Sequence, residues 1–152
     1  KILLVGYGKM GKTIEGIAVK RGHEIVGKID VGDNLSDFNQ AADVAIEFTQ
    51  PESVVGNLKV CLDKGIPVVC GTTGWLNQQQ EVENFCRNKN GTLLYSSNFS
   101  LGVNIFFKIN EYLARIMDRY PDYTVTIDET HHTQKKDAPS GTAITLAQGV
   151  IK

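Results

Sequence analysis

The sequence predicts an α/β fold: a parallel sheet with helices on both faces, followed by the start of a second, smaller α+β domain. Three observations predict it. Short runs rich in Val and Ile, with little polar alternation, recur five times in about the first 95 residues, as strands buried on both faces do. Helical patterns separate them, and strand-helix-strand order implies parallel pairing through right-handed crossovers. The rhythm then breaks near Ser96.

The strands are expected at Ile2 to Val5, Glu24 to Ile29, Val44 to Phe48, Pro67 to Cys70 and Thr92 to Tyr95. Lys12 to Arg21 places Ile14, Ile17 and Ala18 on one helical face, and Gly22 stands where a helix would end. Pro51 and Glu52 suit a first helical turn, after which Val54, Val55, Leu58, Val60, Cys61 and Leu62 supply a broad apolar face before Gly65. Leu76 to Asn88 is a more polar helix closed by the turn signal Asn90-Gly91. Beyond Ser96, "SSNFSLGVN" is a loop and Val103 to Arg119 a helix with apolar Val103, Phe106, Phe107, Leu113 and Met117. "DYTVTIDET" alternates Tyr123, Val125 and Ile127 like a strand, "HHTQKKDAPSG" is a loop, and "TAITLAQGVI" opens another helix. This helix-strand-helix unit is too small for an independent core. The expected domains are therefore residues 1–102 and 103–152.

Composition limits the function classes. With 152 residues, 41% hydrophobic and 22% charged, the chain fits one domain, or one domain plus part of another, and disorder is excluded. A net charge of -1 gives no basic excess for nucleic acid, and the apolar runs fall far short of the roughly 18 residues of a membrane span. Cys61, Cys70 and Cys86 are odd in number and form no C-x-x-C pair, and no signal-peptide pattern precedes the first strand. A reduced, cytoplasmic location is expected, with each cysteine a small buried hydrophobe. Lys1 rather than Met opens the chain, which allows residues to be missing there.

The 15 glycines matter by position. "GYGKMG" (Gly6, Tyr7, Gly8, Lys9, Met10, Gly11) follows the first strand and opens a helix, the setting of a Rossmann-like dinucleotide loop. The first glycine permits the tight turn, the second lets a pyrophosphate reach the backbone, and the third lets helix pack on strand. Helix-start N–H groups and the helix dipole then face the phosphates. Asp30, 19 residues after Gly11, suits the adenosine ribose hydroxyls. No Arg or Lys follows it immediately, only Val31, Gly32 and Asp33, so NADH is expected to be preferred and NADPH to bind more weakly. "CGTTGW", with Gly71, Thr72 and Thr73, and "SSNF", with Ser96, Ser97, Asn98 and Phe99, end strands at the carboxyl edge, where ligands bind in such sheets. Each is otherwise an ordinary polar turn.

The second constellation is "ETHHTQKKDAPSGTA", Glu129 to Ala143. His131, His132, Lys135 and Lys136 crowd into six residues, and "SGT" (Ser140, Gly141, Thr142) precedes a helix whose N–H groups suit a carboxylate. Taken alone, the charge cluster reads as a solvated basic loop. Adjacent histidines rarely share one metal ion, and no cysteine or carboxylate completes a metal spacing. Cations beside a helix N-terminus point to a small anionic substrate, and Lys and His can deliver a proton to an intermediate that has accepted hydride.

These motifs, with "EFTQPESV" and "GTTGW", resemble those of the 4-hydroxy-tetrahydrodipicolinate reductase (dihydrodipicolinate reductase) family over essentially the whole chain. The loop meets the family pattern E-x-H-H-x-x-K-x-D-A-P-S-G-T-A at every fixed position. The resemblance implies NAD(P)H-dependent reduction of a cyclic imine-type dicarboxylate to tetrahydrodipicolinate, in diaminopimelate and lysine biosynthesis. It makes His131 the acid/base residue, Lys135 the proton donor and His132 a substrate ligand. Gly141 and Thr142, with Ser140 and Thr73, would hold a substrate carboxylate. Gly6 to Gly11, Asp30, Gly71 to Thr73 and Ser96 to Phe99 would line the cofactor site. Two departures stand out: many members carry a G-x-x-G-R-M-G loop, one residue longer, and some carry Arg where this chain has Val31. Lys136 competes with Lys135 for the catalytic role, and motif spacing favours Lys135.

Two rivals remain: a noncatalytic dinucleotide-binding module, and a dehydrogenase acting on an amino-acid semialdehyde. The cationic loop counts against the first. The second, if it used acyl-thioester chemistry, would need a catalytic cysteine, and no cysteine here lies in a loop of that kind. Family members usually exceed 200 residues and assemble as homotetramers through a sheet in the second domain. The chain is thus expected to be a fragment with its C-terminal remainder absent, binding cofactor better than it turns substrate over.

Overall fold

The computed structural model describes residues 1–131, 133 and 138–151. They form two compact units, Lys1–Ser96 and Ser97–Lys152.

The first unit is a five-stranded parallel sheet of β1 (Ile2–Val5), β2 (Ile25–Ile29), β3 (Val44–Glu47), β4 (Val68–Cys70) and β5 (Leu93–Tyr95), in the order β2-β1-β3-β4-β5. Chain direction across the sheet reverses between β1 and β3, and that reversal puts helices on both faces. Along β1, Leu3 and Val5 join a large core with Val54, Val55, Leu58, Cys61 and Leu62 of α2 (Pro51–Asp63) and Val82 of α3 (Gln79–Asn88). Ile2 and Leu4 point to the opposite face and pack with Ala18 and Ile14 of α1 (Lys9–Lys20). The strands thus need apolar residues at every position of β1, which is why that run shows no alternation. Leu35, in a short 3₁₀ turn at Leu35–Asp37 between β2 and β3, plugs the α2 side.

Helix boundaries follow local chemistry. Pro51 occupies the first turn of α2, where a missing N–H costs nothing, and Gly65, at φ +70°, ends it. Gly22, at φ +80°, does the same after α1. The helix expected from Leu76 to Asn88 is a 3₁₀ turn, Leu76–Gln78, running into α3.

In the second unit, α4 (Leu101–Met117) packs on α5 (Gly141–Ile151). The half-buried residues of α4 are Val103, Phe107, Asn110, Glu111, Ala114 and Met117, so the contact stripe keeps Val103, Phe107 and Met117 from the expected face and leaves Phe106 and Leu113 exposed. The Asn110 side chain donates to the Leu146 carbonyl at 2.9 Å. A Cβ on Gly149 would meet that amide at 3.0 Å, so the missing side chain sets how closely the helices approach.

One expectation fails here. The segment around Tyr123, Val125 and Ile127 forms no strand, and these three side chains are exposed. Alternation gives a segment two faces, but a strand exists only when a neighbour takes up its N–H and C=O groups. Among the described residues of this unit no strand offers that pairing. No helix of the described residues is long and apolar enough to cross a membrane.

Candidate functional site

The parallel register aligns the strand ends of the first unit. Ile29, Val5, Glu47, Cys70 and Tyr95 are successive partners across the sheet. The residues that follow them, Asp30, Gly6, Phe48, Gly71 and Ser96, therefore emerge side by side at the carboxyl edge. All but Phe48 are cofactor residues expected from the sequence. The crevice of such a sheet opens where strand order reverses, here between β1 and β3.

Gly6 turns the chain at φ +94°, and its N–H donates to the Ile29 carbonyl at 2.8 Å. A Cβ there would lie 2.0 Å from the Phe48 oxygen, and one on Gly11 would lie 2.2 Å from the Gly6 oxygen. Gly8 differs: nothing lies within 4 Å of where its Cβ would be. Gly8 is also the N-cap of α1, with no side-chain cap and no acid in the first turn, which Lys9, Met10 and Gly11 begin. An open backbone beside uncapped helix N–H groups fits a dinucleotide pyrophosphate.

At the end of β2, Asp30 sits in a turn with Gly32 at φ +96°. Its Oδ1 accepts the Val31 N–H at 2.9 Å, and Asp33 Oδ2 accepts the Asp30 N–H at 2.8 Å. Two carboxylates therefore share this turn. The cation on the same strand, Lys28, pairs with Glu15 at 2.6 Å and lies 4.7 Å from the centre of the Tyr7 ring. The Tyr7 hydroxyl also donates to Glu15, and the Lys28 and Tyr7 bonds together hold the Glu15 carboxyl below its usual range.

A polar network locks the loops after β3 and β4. Glu47 is fully buried, and its carboxylate accepts the Thr49 hydroxyl and, at 3.2 Å, the Cys70 thiol. The Thr49 N–H donates to Thr72 Oγ1 at 2.7 Å, and Trp75 Nε1 donates to the Thr72 carbonyl at 2.8 Å. Gly71 donates to the Glu47 carbonyl at 2.9 Å, and a Cβ on Gly71 would fall 2.2 Å from the Phe48 ring. Thr73 follows, half-buried, and Ser96 donates to the Cys70 carbonyl at 3.2 Å. Burial, then the charge of Glu47, pushes the Cys61 thiol up to about 11 and Cys70 higher still.

In the second unit, Ser97 and Thr145 bring their hydroxyls within 3.4 Å, linking Ser97 to the first turns of α5. Asn104 donates to the Asn98 and Ser100 carbonyls at 2.9 and 2.8 Å, while Asn98 Oδ1 accepts the Ser100 N–H at 2.8 Å. Phe99 remains exposed. His131 Nε2 lies 2.8 Å from Glu129 Oε2, and the same carboxylate accepts the N–H and hydroxyl of buried Ser140 at 2.9 and 2.6 Å. Ser140 in turn accepts the Ala143 N–H at 3.1 Å, so it caps α5. Gly141 and Thr142 are the first two residues of that helix, both half-buried.

Family models for the N-terminus and the C-terminus of dihydrodipicolinate reductase match residues 1–99 and 102–152. The chain belongs to the dihydrodipicolinate reductase family. A 4-hydroxy-tetrahydrodipicolinate reductase from Christiangramia forsetii is 48% identical over 99% of this chain and 64% of its own length. One from Alkaliphilus oremlandii is 35% identical over 99% of this chain and 62% of its own. The solved dipicolinate-bound dihydrodipicolinate reductase from Paenisporosarcina sp. TG-14 superposes with a TM-score of 0.68 at 27% identity, over 98% of this chain and 64% of that one. The chain thus spans less than two thirds of the length of these reductases. The family binds a nicotinamide dinucleotide, in keeping with the open Gly8 cradle.

Several residues of this chain escaped the sequence reading. Glu47 and Thr49 belong to the motif "EFTQPESV" but were given no role there, although a carboxylate closing a buried strand is itself a signal. Glu129 and Asn104 lay within the quoted motifs but carried no role. His132, Lys135 and Lys136, the other chemistry-bearing residues of the cationic loop, lie outside the described residues.

Proposed function

We propose that this chain carries the cofactor and substrate elements of a 4-hydroxy-tetrahydrodipicolinate reductase. In this reading a cyclic imine-type dicarboxylate is reduced to tetrahydrodipicolinate at the expense of NADH, and more weakly of NADPH. The observation that carries it is the pairing of His131 with Glu129 beside a capped helix start, in a chain that also holds a glycine cradle open at Gly8.

When bound, the dinucleotide supplies hydride from its nicotinamide ring. Gly6 to Gly11 hold its pyrophosphate on the α1 N-terminus, and Asp30 accepts from the ribose hydroxyls. Gly71, Thr72, Thr73 and Ser96 to Phe99 approach the nicotinamide end. The Gly141 and Thr142 N–H groups would take a substrate carboxylate, with Ser140 keeping that helix start in place, and the family resemblance also assigns Thr73 and His132 to the substrate. Reduction would add one hydride and one proton to the ring, the 4-hydroxy form also losing one water; Lys135 would donate the proton, with His131 as acid/base residue. Preference for NADH is supported by the two carboxylates of the Asp30–Asp33 turn and by the engagement of Lys28 with Glu15, since a 2′-phosphate there would meet negative charge without a free cation from that strand. The whole protein is read as a cytoplasmic homotetramer. The three unpaired cysteines support a reducing compartment, and the exposed Ile105, Phe106, Ile109 and Tyr112 of α4 support assembly.

The test is NADH oxidation with substrate formed in situ from pyruvate and aspartate semialdehyde, comparing this chain with a version extended at its C-terminus. Turnover by the extended chain, with kcat/KM higher for NADH than for NADPH, is expected. NADH binding without turnover in both would instead support a noncatalytic dinucleotide module.

A further inference from the structure

We propose that Glu129 is a positioning residue of the substrate end, fixing the His131 ring and the open start of α5 in one geometry; this rests on the reductase reading above. Its two oxygens serve three donors: Oε1 takes the Ser140 N–H at 2.9 Å, and Oε2 takes the Ser140 hydroxyl at 2.6 Å and faces His131 Nε2 at 2.8 Å. The side-chain and backbone bonds from Ser140, then the bond from His131, hold the Glu129 carboxyl down to about 2. It is therefore ionised at neutral pH and can only accept, so Nε2 carries the proton of that bond and Nδ1 is the nitrogen Glu129 leaves uncommitted.

The same carboxylate decides which N–H groups α5 offers. Ser140 gives both its donors to Glu129, and its oxygen then accepts from Ala143. Among the described residues no acceptor meets the Gly141 and Thr142 N–H groups at the helix start. Glu129 thus acts through its neighbours, binding nothing itself. Its charge makes the role testable by sign. A carboxylate whose only effect near a dicarboxylate site is repulsion would improve anion binding when removed, whereas a positioning carboxylate would weaken it.

The experiment uses the 152-residue chain, ¹⁵N-labelled, with dipicolinate as probe. Glu129→Ala is expected to lose the hydrogen-bonded His131 Nε2–H resonance, to move the Ser140 amide signal, and to weaken dipicolinate binding tenfold or more despite removing a negative charge. Glu129→Gln keeps an acceptor for the Ser140 N–H but turns an amide donor toward His131. It should therefore move the His131 proton to Nδ1 and exchange the two ring-nitrogen shifts. Unchanged ring-nitrogen and Ser140 signals in both variants, or tighter dipicolinate binding by Glu129→Ala, would overturn the proposal. Failure of every chain to bind dipicolinate would overturn the substrate reading alone, and the ring-nitrogen shifts would still decide Glu129.

Discussion

The carbonyl oxygen of Phe48 stands 2.0 Å from the point where a side chain on Gly6 would begin. Gly6 also has φ +94°, so an alanine there is strained by its backbone and obstructed by the chain just after β3. Gly11, whose Cβ would lie 2.2 Å from the Gly6 oxygen, is similarly closed, whereas Gly8 faces open space. Gly6→Ala and Gly11→Ala should each lower unfolding stability by about 2–4 kcal/mol, as overpacked or strained positions do. Gly8→Ala should cost less than about 1 kcal/mol, yet weaken NADH binding at least tenfold by filling the pyrophosphate approach. Urea unfolding and NADH fluorescence titration of the three variants check the contrast.

What the sequence carried and what it hid divide along the same physical line. Ile2 to Val5 is legible as a buried strand because burial on both faces leaves a continuous apolar run, and Gly6 to Gly11 because one turn needs glycines at fixed spacing. Tyr123 to Ile127 has the right alternation but no ladder partner among the described residues, and pairing is not a local property. Glu47 and Cys70 are 23 residues apart, and only the register of β3 against β4 joins them. Glu129 and Ser140 meet although they are 11 positions apart in the sequence. Spacing within a motif reports which residues share a loop, not which of them bond.

Glu47 should be costly to truncate. Among the described residues its buried carboxylate forms no ion pair and is satisfied by the Thr49 hydroxyl and the Cys70 thiol. Glu47→Ala removes the acceptor of the Thr49 hydroxyl and the nearer acceptor of the Cys70 thiol and opens a cavity under the loops that hold Thr49 and Thr72, a loss of about 3 kcal/mol. Glu47→Gln keeps the volume and one acceptor and should recover part of that loss. Urea midpoints of the two variants measure it; equal midpoints for Glu47→Ala and the parent chain would show that the network contributes nothing.

The cysteines should separate by reactivity. Cys61 and Cys70 are buried, with thiols pushed above their ordinary range by burial and by the charge of Glu47, while Cys86 is only partly covered. The thiolate is the reactive form. With a disulfide reagent at pH 8, one thiol should react rapidly and two only on unfolding, and Cys86→Ser should abolish the fast phase. A fast phase that survives in Cys86→Ser would place a reactive thiol elsewhere.

Glu129 gives the second unit a defined acid limit. Its carboxyl is lowered from 4.5 to about 2, by bonds from Ser140 first and His131 after, so the ionised form is favoured by the folded state. Such a group contributes stability that is complete above its unfolded pKa, near 4.5, and is lost as pH falls through the folded value near 2. As pH falls from about 4.5 the stability contributed by these bonds should decline, and near pH 2 the native arrangement at Ser140 itself should weaken, because a protonated carboxyl accepts poorly from three donors. The Ser140 amide resonance, followed from pH 6 downward, should titrate with a midpoint near 2 in the parent chain. In Glu129→Gln that titration should disappear, since the amide at 129 has no proton to gain in this range. A Ser140 midpoint near 4.5 in the parent chain would mean that the carboxylate is not held by these bonds in solution.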